Sequence, residues 1–151
     1  MKPTPAGWPR LSCSIFYDDP RAAIDWLCRA FGFEVRLKVE GDDGTIHHSE
    51  LCFGEGLVMV SGAQGTEAWQ QIYRSPKAIG GGVTQALALF VDDVDTHYAH
   101  AIAAGAKVHR ELSTSDYGDD YWVDRSYGAL DLEGHLWWFM QRLRGAAERA
   151  Q

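Results

Sequence analysis

"FYDDPRAAIDWLCRAFGFEV" (residues 16–35) and "FVDDVDTHYAHAIAAGAKV" (residues 90–108) are two copies of one plan, and that repeat decides the fold. Each copy leaves an apolar stretch, passes through an Asp-Asp pair, runs an amphipathic segment up to a glycine and enters a new apolar stretch. The second acid of each pair, Asp19 or Asp93, can accept hydrogen bonds from the first free N–H groups of a helix, where its charge also suits the helix N-terminus. Pro20 fits the first helical position. Ala23, Ile24, Leu27 and Phe31 recur at helical spacing, as do Tyr98, Ala101 and Ile102. Gly32 and Gly105 are placed to end the two helices in a left-handed conformation.

The segments after the helices repeat as well. "FGEGLVMV" (53–60) parallels "DLEGHLWW" (131–138), and the Glu-Gly pair in each marks a hairpin turn that feeds an apolar strand. Each half therefore reads strand, helix, then three strands. The first half places them at about 11–17, 20–31, 33–40, 45–53 and 56–61, the second at about 83–91, 94–104, 106–112, 121–131 and 134–142. This gives one α+β domain over 1–151, with module one at about 10–61, a linker at about 62–82 and module two at about 83–142. The linker is polar, glycine-rich and aromatic, with room for a helical turn. "MKPTPAGWPR" is an arm whose Trp8 packs on a neighbour, and "RLRGAAERA" is a solvated helical end. A four-stranded sheet with one helix on it is covered on one face only. Two such βαβββ units are expected to curve into a mixed sheet whose other face is a cleft for a small molecule.

Composition narrows the function classes. The chain has 151 residues, 46% of them hydrophobic, enough for a real core. Its formal net charge of −7 argues against nucleic acid as a partner, which asks for a basic face. No apolar run approaches the roughly 20 residues of a membrane helix. The first ten residues carry no apolar signal-peptide core, so a cytoplasmic location is expected. Cys13, Cys28 and Cys52 are far apart in sequence and read as reduced core thiols. Gly80-Gly81-Gly82 is a flexible entry to the fifth strand, because no Lys-Ser/Thr follows to make a phosphate loop.

One stretch carries metal-type chemistry. In "GTIHHSEL" (44–51), His48 and Glu50 sit two apart, so a strand points both to one face. An imidazole and a carboxylate on one face are what Zn, Fe or Ni takes from a single strand.

"YDDPRAAIDWLCRAFGFEV", "DGTIHHSELCFGEGLVMV", "VDDVDTHYAHAIAAGAKV" and "RSYGALDLEGHLWWF", in that order on a doubled βαβββ pattern, resemble the vicinal oxygen chelate superfamily. That superfamily includes glyoxalase I, bleomycin-resistance proteins and extradiol dioxygenases. The last stretch is close to the Arg-x-Tyr-x-x-x-Asp-Pro-Glu-Gly-His-x-Trp pattern of the glyoxalase and bleomycin-resistance branch, with Leu132 where that pattern has proline. The superfamily's metal enzymes take one ligand from each of four strands. Carried over, those positions fall on Ser12, Glu50, Ala86 and Trp138. Only Glu50 is a ligand type, and Trp138 cannot coordinate, so the resemblance implies a member without a metal cofactor. The alternative is a metal-dependent lyase or dioxygenase that uses Glu50, His48 and a further ligand for a divalent Zn, Ni or Fe ion.

The expected function is therefore that of a metal-independent glyoxalase/bleomycin-resistance-like protein. It would hold a small aromatic or hydrophobic molecule in an aromatic-lined cleft, with drug sequestration as one form of this. Whether it turns a substrate over stays open, and if it does, Glu50 is the candidate general base. Such a carboxyl in an apolar cleft would have its pKa pushed upward unless paired, for which His48 and Arg125 are the partners in reach. The candidate ligand-binding residues are Phe16, His48, Glu50, Trp122, Arg125, Tyr127 and Trp138. Strand alternation turns Phe16 and Trp138 inward and Trp137 outward, under the second helix. Arg125 could hold a ligand carboxylate bidentately, or pair with Asp124, Asp131 or Glu50. His97 and His100 read as surface or interface histidines. Asp116 to Asp120 read as an acidic loop at the cleft mouth. Relatives of this kind pair across a two-fold axis, so a homodimer is expected.

Overall fold

The structure is a computed structural model, and it describes residues 1–63 and 65–146. The chain divides into two compact units, Met1–Gly82 and the residues from Val83 onward. Both realise the same plan.

In the first unit β1 (Cys13–Tyr17) leads into α1 (Pro20–Phe31), followed by β2 (Glu34–Glu40), β3 (Ile46–Phe53) and β4 (Gly56–Gly62). The sheet order is β1-β4-β3-β2, with β1 parallel to β4 and the other pairs antiparallel. The caps of α1 are those expected. Asp19 Oδ1 accepts from the Ala22 N–H at 3.0 Å, and Gly32 ends the helix at φ 80°. Ile15, Tyr17, Leu51, Val58 and Val60 face the helix stripe of Ala23, Ile24, Leu27 and Phe31, and all are buried. Ser49 lies among them, its hydroxyl donating to the Val60 carbonyl and accepting from the Val60 N–H, so its polar atom is satisfied. The region expected as a linker belongs to this unit and forms α2 (Glu67–Ile72) and a 3-10 turn at Lys77–Ile79.

The second unit repeats the order with β5 (Ala86–Phe90), α3 (Val94–Ala103), β6 (Lys107–Asp116), β7 (Val123–Leu130) and β8 (Leu136–Arg144). Its sheet runs β5-β8-β7-β6, again with one parallel pair. Asp93 caps α3 through the Thr96 N–H and hydroxyl, at 3.0 and 2.7 Å. Tyr127, Ala129, Trp137 and Phe139 form the buried floor under α3.

β6 and β8 run past their expected ends. β6 continues to Asp116 because its far end pairs with β7, Asp116 opposite Val123. The acidic stretch is therefore a hairpin tip, which Arg144 holds through Asp116 at 2.8 Å and Asp119 at 3.5 Å. The tail expected as helix is strand as far as Arg144, and residues 147–151 lie outside the described residues. No helix among the described residues is long and apolar enough to cross a membrane.

Candidate functional site

Each sheet has a face turned away from its helix, and the register identifies the residues on it. In the first unit Leu37 pairs with Glu50 and Val39 with His48, so these four share the uncovered face. Between Val35 and Leu37 the register slips by one, which leaves Arg36 as an extra residue in a β-bulge. Bulges re-aim side chains, and this one brings the Arg36 guanidinium to Glu50, Nε to Oε2 at 3.2 Å. The other carboxylate oxygen, Oε1, lies 3.0 Å from His48 Nε2. Arg36 also donates to the Gly7 carbonyl and lies 5.3 Å from the centre of the Trp8 ring, so the arm packs on its own unit. Glu50 is 5% exposed with both oxygens engaged.

These residues do not fit the four-ligand metal site of the superfamily. A cation at Glu50 would lie beside the Arg36 guanidinium, and two like unit charges about 4 Å apart cost on the order of 4 kcal/mol near a protein surface. Ser12, Ala86 and Trp138 supply one hydroxyl among them. No group of three or more His, Cys, Asp and Glu side chains gathers among the described residues.

Aromatic rings mark the same unit. Phe16 lies 4.3 Å from Tyr73, centre to centre, and Tyr73 lies 4.1 Å from Trp69 on α2. Trp69 is 45% exposed, so this stack ends at solvent. The thiols of Cys13 and Cys28 are poor nucleophiles by contrast. Burial raises the pKa of Cys13, and burial aided by Asp25 and Glu34 raises that of Cys28.

In the second unit, Gly128 pairs with Trp138 and Ser126 with Met140 on the face away from α3. Trp138 lies flat. A Cβ placed on Gly128 would meet three atoms of its ring at 3.2–3.3 Å, so glycine is what lets the indole rest on the strand. The Arg110 guanidinium lies 5.8 Å from that ring and His109 stands edge-on to it at 6.1 Å. Nearby, Arg142 is paired with the buried Asp124 and sits 5.2 Å from Phe90 and 4.9 Å from Trp122.

Two sequence candidates lie elsewhere. Arg125 pairs with Gln141 in register and faces α3, where Asp95 takes its guanidinium with both oxygens at 2.8 and 2.6 Å. That hydrogen bond holds the Asp95 carboxyl below its usual pKa. Arg125 thus has none of the three expected partners, Asp124, Asp131 or Glu50. Tyr127 shares its parity and is fully buried, its hydroxyl 2.7 Å from His97 Nδ1 and its ring stacked on Phe139. Burial pushes its pKa far up. Register is unbroken from Asp124 to Leu130, so Arg125 and Tyr127 keep the parity of Ala129 and turn to the helix, while Trp122 lies against Arg142. His97 is correspondingly no surface histidine, since its ring packs 4.3 Å from Phe139. Arg110 and Arg142, the cations on the aromatic face, were not anticipated. Arg142 was legible, because it follows Trp138 and Met140 at strand spacing. Arg110 was not, because β6 slips register on both sides of it.

The hairpin before β8 places Trp138. Asp131 Oδ1 accepts from the N–H groups of Glu133, Gly134 and His135 at 2.9–3.0 Å, and its Oδ2 accepts from Trp137 Nε1 at 3.0 Å. With Trp137 tied under α3, the next residue must point to the opposite face.

Comparisons with known proteins agree with this architecture. A family model described as Glyoxalase/Bleomycin resistance protein/Dioxygenase superfamily matches residues 11–139. TioX from Micromonospora sp. ML1 is similar at 35% identity and a TM-score of 0.67, over 89% of this chain and 99% of that one. A glyoxalase/bleomycin resistance protein/dioxygenase family enzyme from Burkholderia phytofirmans PsJN shares the fold at 21% identity and a TM-score of 0.67, over 87% and 97% of the two chains. The uncharacterized protein Mb0911c of Mycobacterium bovis is 31% identical over 136 residues, 90% of this chain and 85% of that protein.

Proposed function

The chain belongs to the glyoxalase/bleomycin resistance protein/dioxygenase superfamily, and on that premise we propose that it binds a small aromatic molecule without a metal ion and sequesters it instead of turning it over. The observation that carries this reading is the flat indole of Trp138 on Gly128, where the resemblance puts the last metal ligand of the superfamily's enzymes. An indole face lying along a strand offers stacking area at little entropic cost. Glu50 supports the same reading. Its carboxylate is 5% exposed and held by Arg36 on one oxygen and His48 on the other, so it is tied to its own neighbours.

In this reading the protein is cytoplasmic and a homodimer. The apolar side chains of Leu37 and Val39, each more than 40% exposed on the uncovered face of the edge strand β2, are a surface that a second copy would cover. Light scattering that returns a monomer mass would remove the dimer from the proposal.

The test of function is a fluorescence titration of the full chain with a panel of planar aromatic compounds, beside elemental analysis of protein purified without added metal. Saturable quenching lost in Trp138→Leu, with no stoichiometric metal, is the expected outcome. One Zn, Ni or Fe per chain that disappears in Glu50→Ala would replace this proposal with the metal-dependent lyase or dioxygenase.

A further inference from the structure

Among the described residues, the aromatic face of the second unit carries a charge that no carboxylate balances. Arg110 is exposed, lies 5.8 Å from the Trp138 ring, and makes one weak hydrogen bond, to the Ser115 hydroxyl at 3.4 Å. The acids near it in sequence or register are occupied elsewhere. Glu111 accepts from the Tyr98 hydroxyl, Asp116 pairs with Arg144 and Asp124 pairs with Arg142. Arg142, the other cation on this face, is neutralised by Asp124 at the same contact. In a chain of net charge −7, an arginine with no carboxylate partner among the described residues, beside a stacking platform, stands out. The backbone is also bent to put it there. β6 slips register between Val108 and Arg110 and again between Arg110 and Ser113, so a bulge lies on either side of it.

Resting on the proposed aromatic-binding reading, we propose that the ligand is a flat aromatic carboxylate. Its ring stacks on Trp138, and its carboxylate meets the Arg110 guanidinium beside that ring. A guanidinium presents a planar fork of N–H donors that matches a carboxylate edge to edge. A ring and carboxylate in one plane satisfy the indole face and that fork together. The assignment takes the anion-holding role from Arg125, whose fork Asp95 already fills.

The experiment is isothermal titration of the full chain with 2-naphthoate and with its uncharged counterpart 2-naphthamide, on the wild type, Arg110→Gln and Trp138→Leu. Arg110 is exposed, so its replacement leaves the fold intact, which circular dichroism verifies. The wild type should bind naphthoate about tenfold more tightly than naphthamide, the scale of one charge-assisted hydrogen bond at a partly exposed site. Arg110→Gln should erase that preference and leave naphthamide within about twofold, while Trp138→Leu should weaken both. A wild type without the preference, or an Arg110→Gln variant that keeps it, overturns the carboxylate assignment while Trp138-dependent naphthamide binding upholds the platform. If neither compound binds, or if Trp138→Leu changes nothing, the platform falls and the carboxylate with it.

Discussion

Replacing Asp131 with alanine should be among the most damaging single changes in the second unit. Asp131 is 2% exposed and accepts hydrogen bonds from the turn N–H groups of Glu133, Gly134 and His135 and from Trp137. Trp137 is itself fully buried, so its N–H would have no water to turn to. A buried donor left unsatisfied costs about 1–3 kcal/mol. Each bond to a charged acceptor contributes about 1.5–3 kcal/mol, although the three turn N–H groups recover part of this from solvent once the loop relaxes. The net loss is then about 3–5 kcal/mol. In a chain of this size that is a fall in Tm on the order of 10 °C. Asp131→Asn keeps an acceptor for the turn but sets an amide N–H against the indole N–H, and should cost about half as much. Urea unfolding followed by circular dichroism measures both. If Asp131→Ala stays within about 0.5 kcal/mol of wild type, as an ordinary surface change does, the turn does not depend on this carboxylate and the placement of Trp138 needs another cause.

Three further outcomes follow from the same contacts. Arg36→Met leaves a buried carboxylate with only His48, and should destabilise the chain by about 2–3 kcal/mol at pH 7, while Glu50→Gln in the Arg36→Met background recovers part of that loss, both read by urea unfolding. Gly128→Ala places a methyl group within 3.2 Å of the Trp138 ring; it should cost about 1 kcal/mol in the same measurement and weaken naphthamide binding by tilting the indole. The Asp93 cap is pH-dependent: hydrogen bonds from Thr96 lower its folded pKa, so its stabilisation is present above about pH 4 and is lost as pH falls through that lower value. Asp93→Ala should therefore lower thermal stability at pH 7, and the difference from wild type should shrink toward pH 2.

The elements were largely legible because the doubled Asp-Asp and glycine signals are local. Asp19, Asp93, Pro20 and Gly32 act within one turn of themselves, and the structure uses each as its neighbours require. The face of β6 was not legible, because register depends on slips that no residue type announces: two slips around Arg110 turn a side chain that strand counting cannot aim. Arg125 and Tyr127 go to the helix because they pair in unbroken register with Gln141 and Phe139, across the ladder and outside any local window. Of the two partners of Glu50, His48 was legible from strand spacing, but Arg36 was missed, since it reaches Glu50 only from a bulge. Trp138 lay within strand alternation, but its flat pose depends on Gly128 across the ladder, a pairing outside any local window.

The most direct test of aromatic stacking in place of metal binding is to follow the six tryptophan indole N–H signals in nitrogen-15 correlated spectra during a titration with 2-naphthamide. With the resonances assigned by single Trp replacement, the Trp138 signal should move most and saturate with the binding curve, while buried Trp137 stays nearly still. A Trp138 signal that stays fixed at saturation, or a larger movement on adding Zn²⁺ than on adding the aromatic compound, would contradict the account.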